Sequence, residues 1–259
     1  MAKIFAISSV VIKELYRRKD FYVLFVLTAL LTLTAGAVNF FHDDKIVRYI
    51  KDLCLLLIWV SALLVAIVTS SRQIPAEREA RTIFPLLAKP VSRAQIIAGK
   101  FFGCWFATGL ALLVFYLFFA LITGSREHIW PVAVYLEAAW MQWAMLAVVI
   151  GMVLLGSIYF AAPSSTTTIT FIIVVGILMI GGHLNAIALQ QPEPMQSVLG
   201  VVYFMIPHLE WFDLRDFVVY DLGLVPLRAV ALATLYAAVW TGIFILLAWV
   251  GFRRKNLTT

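Results

Sequence analysis

Nucleotide hydrolysis would need a phosphate-cradling loop, and this sequence lacks one. Gly99 and Lys100 form its Gly-Lys pair, but Ala94 stands where a Gly-x-x-x-x-Gly-Lys-Ser/Thr loop requires its first glycine. Metal chemistry is no better supplied. His42, His128, His183 and His208 are scattered, without His-Glu-x-x-His or Cys-x-x-Cys spacing, so no metal site built by this chain alone is expected. The seven methionines read as packing fillers. Ser157 and His183 are the pair that an intramembrane serine hydrolase would use, the one enzymatic alternative. No Gly-x-Ser-Gly surrounds Ser157, and the orientation of the spans puts Ser157 towards the inner face and His183 towards the outer.

Three polar residues within apolar runs form a candidate polar path. Glu137 is an acid inside such a run, six residues after Pro131. A carboxylate within a membrane is a functional candidate because its burial is costly. That run exceeds the roughly 20 residues a bilayer needs, so its end can project and leave Glu137 at the headgroups, the weightier reading. His183 and Asn185 follow Gly181 and Gly182 and either face a cavity or interlock helices.

The elements that position these residues follow from composition. Hydrophobic residues make up 63% of the 259 positions and charged residues 13%, against about 45–50% and about 25% in soluble domains. Such a chain is not a soluble enzyme, a disordered tail or a disulfide-built secreted domain. Apolar runs at 21–38, 53–70, 101–122, 132–161, 168–189 and 229–252 predict an all-α membrane protein with six transmembrane helices in a single domain over 1–259. The first run follows Lys13, Arg17, Arg18 and Lys19 and lacks a small-residue cleavage pattern, so it reads as a retained span.

Lysines and arginines orient the spans. Five precede the first, six lie between the second and third and three follow the last, so fourteen of the twenty fall on one side. The positive-inside bias makes that side cytoplasmic and places both termini there. The net charge of +6 is therefore a membrane-topology signal rather than a nucleic-acid footprint. Cys54 and Cys104 are assigned to opposite faces, too far apart for a disulfide.

Three connections carry further information. Within residues 1–20, Ile4, Ile7, Val11 and Leu15 recur at helical spacing and predict an interfacial helix along the inner membrane surface. In the cytoplasmic connection 71–100, Pro75 suits the first turn of a short helix through Ala80. Thr82 is a cap for a second short helix exposing Phe84, Leu86 and Leu87, which Pro90 ends. Ser92 and Gln95 then form a capping box for the third span. In the outer connection 190–228, Ser197 to Ile206 is apolar but too short to cross, and Pro207 stops it. The stretch Pro207 to Arg215 mixes aromatics with charges, as an interfacial belt over the helices does.

The run Glu77-Arg78-Glu79-Ala80-Arg81-Thr82-Ile83-Phe84-Pro85-Leu86-Leu87-Ala88-Lys89-Pro90-Val91-Ser92-Arg93, with Gly99-Lys100 after it, resembles the permeases of ABC-2 type exporters. Those have an acidic-basic run, Thr-Ile or Thr-Leu, a Leu-Leu pair, Pro-Val-Ser-Arg, and Gly-Lys opening the third helix. Arg81 stands where many members carry glycine, and Pro85 interrupts the short helix. The Pro207 to Arg215 stretch is loosely similar to permeases grouped with copper-enzyme maturation systems.

The resemblance implies a multi-pass protein of the cytoplasmic (inner) membrane, working as a homodimer or heterodimer with a separate cytoplasmic ABC ATPase. ATP and Mg would bind in that partner, leaving this chain without catalysis or cofactor. The helix near Thr82 to Lys89 would be the coupling helix. Glu77, Arg78, Glu79, Arg81, Thr82, Phe84, Leu86, Leu87, Lys89 and Arg93 would be its docking residues, with apolar anchors and a charged rim. Glu137, His183 and Asn185 would lie along the translocation path. The expected function is export of a hydrophobic or amphipathic substrate, or force transmission to an envelope process. The alternative from another class is a membrane scaffold that recruits cytoplasmic proteins without transport.

Overall fold

The computed structural model describes residues 2–16, 26, 44–79, 92–127, 130–160, 162–190 and 192–254. Within them the regular elements are helices, with no strand. They are α1 (Ala2–Tyr16), α2 (Asp44–Ser71), α3 (Pro75–Glu79), α4 (Arg93–Glu127), α5 (Val132–Tyr159), α6 (Pro163–Ala188), α7 (Met195–Met205), α8 (Arg215–Val219) and α9 (Leu227–Arg254). A 3-10 turn covers Leu209–Phe212.

Five helical stretches among the described residues are long and apolar enough to cross a membrane: Lys51–Glu79, Arg93–Gly124, Val132–Tyr159, Pro163–His183 and Leu227–Arg254. They correspond to the second to sixth expected spans. The first expected span, 21–38, lies outside the described residues apart from Val26. The helices outrun the apolar runs that announced them. For example, α4 begins at Arg93, eight residues before the apolar run, because backbone hydrogen bonding continues where hydropathy falls.

Local chemistry sets the starts. Pro75 and Pro163 occupy the first positions of α3 and α6, and Pro131 directly precedes α5, where a missing N–H leaves no intrahelical bond unmade. The expected capping box is formed: Ser92 N–H donates to Gln95 Oε1 at 3.1 Å, and Gln95 N–H donates to Ser92 Oγ at 3.3 Å. The short apolar helix of the long connection, α7, ends at Met205, and extended backbone at Ile206 leads into Pro207.

Helix α5 is the centre of the bundle. Met145, Leu146, Val148, Val149, Ile150, Val153 and Leu154 on it are wholly buried, and α2, α4 and α9 pack around them. Polar side chains fasten the same neighbours. Tyr116 donates to Gln142 Oε1 at 3.2 Å, and Gln142 Nε2 donates to the Trp59 carbonyl at 3.4 Å, so one buried amide joins α4, α5 and α2. Trp105 and Trp143 stack at 4.3 Å and each donates its indole N–H to the other's carbonyl.

Helix α1 forms where its periodicity predicted, and it packs on a helix. A Cβ on Gly99 would lie 2.7 Å from Ile7 Cβ, and one on Gly103 would lie 2.7 Å from Val11 Cβ and 3.2 Å from Ser8 Cα. Ser8 donates its hydroxyl to the Gly99 carbonyl at 2.9 Å. Ile7 meets Gly99 and Val11 meets Gly103, so α1 and α4 advance in the same direction. Two glycines one turn apart let the helices approach this closely.

Candidate functional site

The end of the bundle that gathers Ser71, Arg93, Tyr159, Pro163 and Arg254 holds the charged connection. Its first flank is fixed by a buried cation. Lys100 is 1% exposed, and its ammonium donates to the Gln73 carbonyl at 2.6 Å and to Glu77 Oε1 at 2.7 Å. Helix α3 is thereby tied to α4. An ammonium so buried is stable only with such partners.

The second flank is fixed to the last helix. Arg93 Nη1 donates to the carbonyls of Phe252 at 2.8 Å and Arg253 at 2.9 Å, and the guanidinium lies 5.6 Å from the centre of the Phe252 ring. Carbonyls at a helix C-terminus have no intrahelical donor, so a cation there satisfies both hydrogen bonding and the helix dipole. A third tie, Ser71 Oγ to Thr167 Oγ1 at 2.7 Å, joins α2 to the first turn of α6. Thr166 and Thr167 donate their hydroxyls to the Ala162 and Pro163 carbonyls at the start of α6.

The expected docking residues thus fall into three groups. Glu77 and Arg93 are engaged within the chain, Arg78 is half-buried and Glu79 is exposed. Arg81, Thr82, Phe84, Leu86, Leu87 and Lys89, with the expected coupling helix they form, lie outside the described residues. Lys100 was missed as a site residue, although the sequence held a signal for it. Ile96, Lys100, Cys104, Thr108 and Leu112 recur every four residues, and all five are buried, so the lysine interrupts an inward-facing row.

The opposite end carries a folded cap. The Asp213 carboxylate accepts from Arg215 Nε at 2.9 Å and from Nη2 at 2.7 Å. That hydrogen bonding holds the Arg215 pKa above its ordinary value, with burial opposing it. The same guanidinium lies 5.7 Å from the Trp59 ring centre, which draws the cap down onto α2. His208 is 4% exposed, stacks on Trp211 at 4.9 Å, meets the Tyr203 ring at 4.2 Å with the planes tilted by 42°, and lies 3.1 Å from Glu210 Oε1 through Nδ1. The His208 backbone N–H donates to the Tyr236 hydroxyl on α9 at 2.9 Å. The Glu210 carboxylate also presses on Gly181 of α6, where an added Cβ would stand 2.7 Å from Oε2.

Glu137 is half-buried and accepts from Val225 N–H at 3.1 Å, so it holds the chain entering α9. His183 is exposed and Asn185 lies two residues further along α6. These three residues belong to the cap end. Ser157 and His183 are not brought together. Ser157 is buried and donates to the Leu154 carbonyl at 2.7 Å. Gly156 beside it faces Thr166 and Thr170, and His183 is thirteen residues beyond Thr170 on α6, a rise of ~20 Å. Cys54 and Cys104 are both free, as expected. No cluster of three metal-ligating side chains occurs among the described residues.

Between α4 and α5 runs a groove of about 580 Å³. Leu110, Leu113, Leu117, Leu136, Trp140 and Trp143 line it, with Tyr116 and Tyr135. The polar atoms of four lining residues are turned to internal partners: Trp140 to Thr234, Trp143 to Trp105, Tyr116 to Gln142 and Tyr135 to Thr123. The groove therefore offers hydrocarbon and ring faces.

An all-helical bundle with five membrane-length helices, a tethered charged connection at one end and a folded cap at the other defines a multi-pass membrane protein. Residues 8–257 match the family model described as ABC-2 family transporter protein, and the chain belongs to that family. No curated protein matches it. Membership makes the chain a transmembrane transport component, not itself catalytic.

Proposed function

We propose that this chain is the permease subunit of an ABC exporter, residing in the cytoplasmic membrane with six spans and both termini inside. A separate ABC ATPase, holding ATP and Mg, docks on the connection between the second and third spans, and two permease chains form the working unit. The short segment Thr82 to Lys89 is the coupling helix, with Phe84, Leu86 and Leu87 as apolar anchors. Substrate export, or force applied to an envelope process, follows from alternation between inward-open and outward-open states.

The observation that carries this reading, beyond family membership, is the anchoring of the connection's flanks. Glu77 is fastened to α4 through Lys100, and Arg93 to the end of α9. A displacement of the intervening residues therefore acts on more than one span at once.

Purification of the native complex from its own membrane tests the proposal. A P-loop ATPase is expected to accompany the wild-type permease and to be lost from Leu86→Asp plus Leu87→Asp, which places charges in an apolar groove. Absence of any ATPase from the wild-type complex, or its retention by the double variant, sinks the coupling-helix assignment.

A further inference from the structure

We propose that Glu77 is a positioning residue rather than a docking residue, and that its pair with Lys100 is the strut linking the connection to the third span. The inference rests on the permease reading above and divides its acidic-basic run by task. Glu77 points Oε1 at an ammonium that is 1% exposed, whereas Glu79, two residues further along the same short helix, is exposed. A carboxylate facing inward to a buried cation leaves a partner's groove less to grip than an exposed one.

The geometry also explains why the cation is a lysine deep in a helix. Lys100 reaches two acceptors on the preceding connection, the Gln73 carbonyl just before α3 and the Glu77 carboxylate within it. One ammonium thus holds α3 and the turn that leads into it at two points four residues apart, which sets both the position and the rotation of α3 against α4. Its own backbone lies beside Gly99, the residue on which α1 is seated through Ile7 and Ser8. A torque delivered to α3 is passed to α4 at the place where α4 also carries α1. Arg93 performs the corresponding task at the far flank, on α9.

Charge-assisted hydrogen bonds of this kind are the strong ones, and removal of one partner leaves the other charge buried. Glu77→Gln keeps an acceptor for Lys100 and removes the charge, so the variant is expected to fold. Lys100→Met serves as a second perturbation from the other side, and Glu79→Gln as the comparison for a neighbouring carboxylate.

The experiment uses the full-length permease, first alone in lipid nanodiscs and then as the native complex. Trypsin cleavage after Arg81, mapped by mass spectrometry, is expected to accelerate at least about tenfold in Glu77→Gln and Lys100→Met, the effect of losing a charge-assisted bond. Glu79→Gln should cleave at the wild-type rate, and the melting temperature of Glu77→Gln should stay near wild type. In the complex, Glu77→Gln should retain the co-purifying ATPase and lower its kcat for ATP with KM unchanged. Unaltered cleavage in both Glu77→Gln and Lys100→Met overturns the strut. Loss of ATPase retention in Glu77→Gln with unaltered cleavage returns Glu77 to docking and overturns it equally. If the wild-type complex contains no ATPase, the permease reading falls, and the cleavage comparison still decides the strut.

Discussion

Replacing Gly99 and Gly103 together by alanine should detach α1 from α4, and the size of the effect follows from the contacts. Each new Cβ would stand 2.7 Å from a side-chain Cβ of α1, and the one at position 103 would also stand 3.2 Å from Ser8 Cα, a backbone atom that no rotamer change can move. Ordinary contact between carbon atoms begins near 3.4 Å, so α1 must lift by about 0.7 Å along this face. The same lift stretches the 2.9 Å bond from Ser8 to the Gly99 carbonyl beyond hydrogen-bonding range. Overpacking costs about 1–3 kcal/mol and the lost bond about 1 kcal/mol, which gives roughly 2–4 kcal/mol against docking. At tenfold per 1.4 kcal/mol, amide exchange across residues 7–13 should accelerate roughly 30- to 1,000-fold in lipid nanodiscs. Gly242→Ala is the control, since a Cβ there meets nothing within 4 Å. Wild-type protection of α1 in the double variant, with or without a change in melting temperature, would refute the close-approach argument.

Two more perturbations probe the other ties. Gln142→Leu removes the amide joining α4, α5 and α2 and should cost about 1–2 kcal/mol in thermal unfolding. In a double-mutant cycle with Tyr116→Phe the two losses should be less than additive, and strict additivity would show that the pair carries no coupling. Glu137→Ala should release Val225 and speed hydrogen exchange in residues 222–226, whereas Glu137→Gln keeps an acceptor and should stay near wild type. Equal behaviour of the alanine and glutamine variants would remove the carboxylate's assigned role.

Local signals were legible in the sequence where their chemistry is local. Pro75, Pro163 and the Ser92–Gln95 box mark helix starts because each acts on the backbone within one turn. The apolar runs located the five described spans because crossing a bilayer demands length and hydropathy and little else. Helix partners were a different matter. In a lipid-facing chain the outside of a helix is as apolar as the inside, so a hydrophobic period that sorts faces in water sorts nothing here. On α4 the exposed Phe106, Leu110, Leu113 and Leu117 are as hydrophobic as the buried Phe115 and Phe119.

What breaks that degeneracy is the residues that are not large and apolar. Gly99 and Gly103 lie on the same side of α4 as Phe106 and Leu110, and α1 covers the glycines while the larger side chains stay uncovered. Lys100 interrupts a buried row, and Gln142 interrupts the most buried helix. Lys100 and Gln142 would be costly in hydrocarbon without a specific partner, and the glycines leave room for a close neighbour, so each carries positional information that a leucine at the same place would lack. Charge counting along the chain used Lys100 as one basic residue among fourteen, a signal of sidedness. Its surroundings give it a more specific meaning: at 1% exposure it contributes little as a surface charge, and its two acceptors both lie on the connection it holds. Basic residues of that connection therefore do more than mark sidedness: buried Lys100 sets the place of α3, and Arg93 ties the far flank to α9.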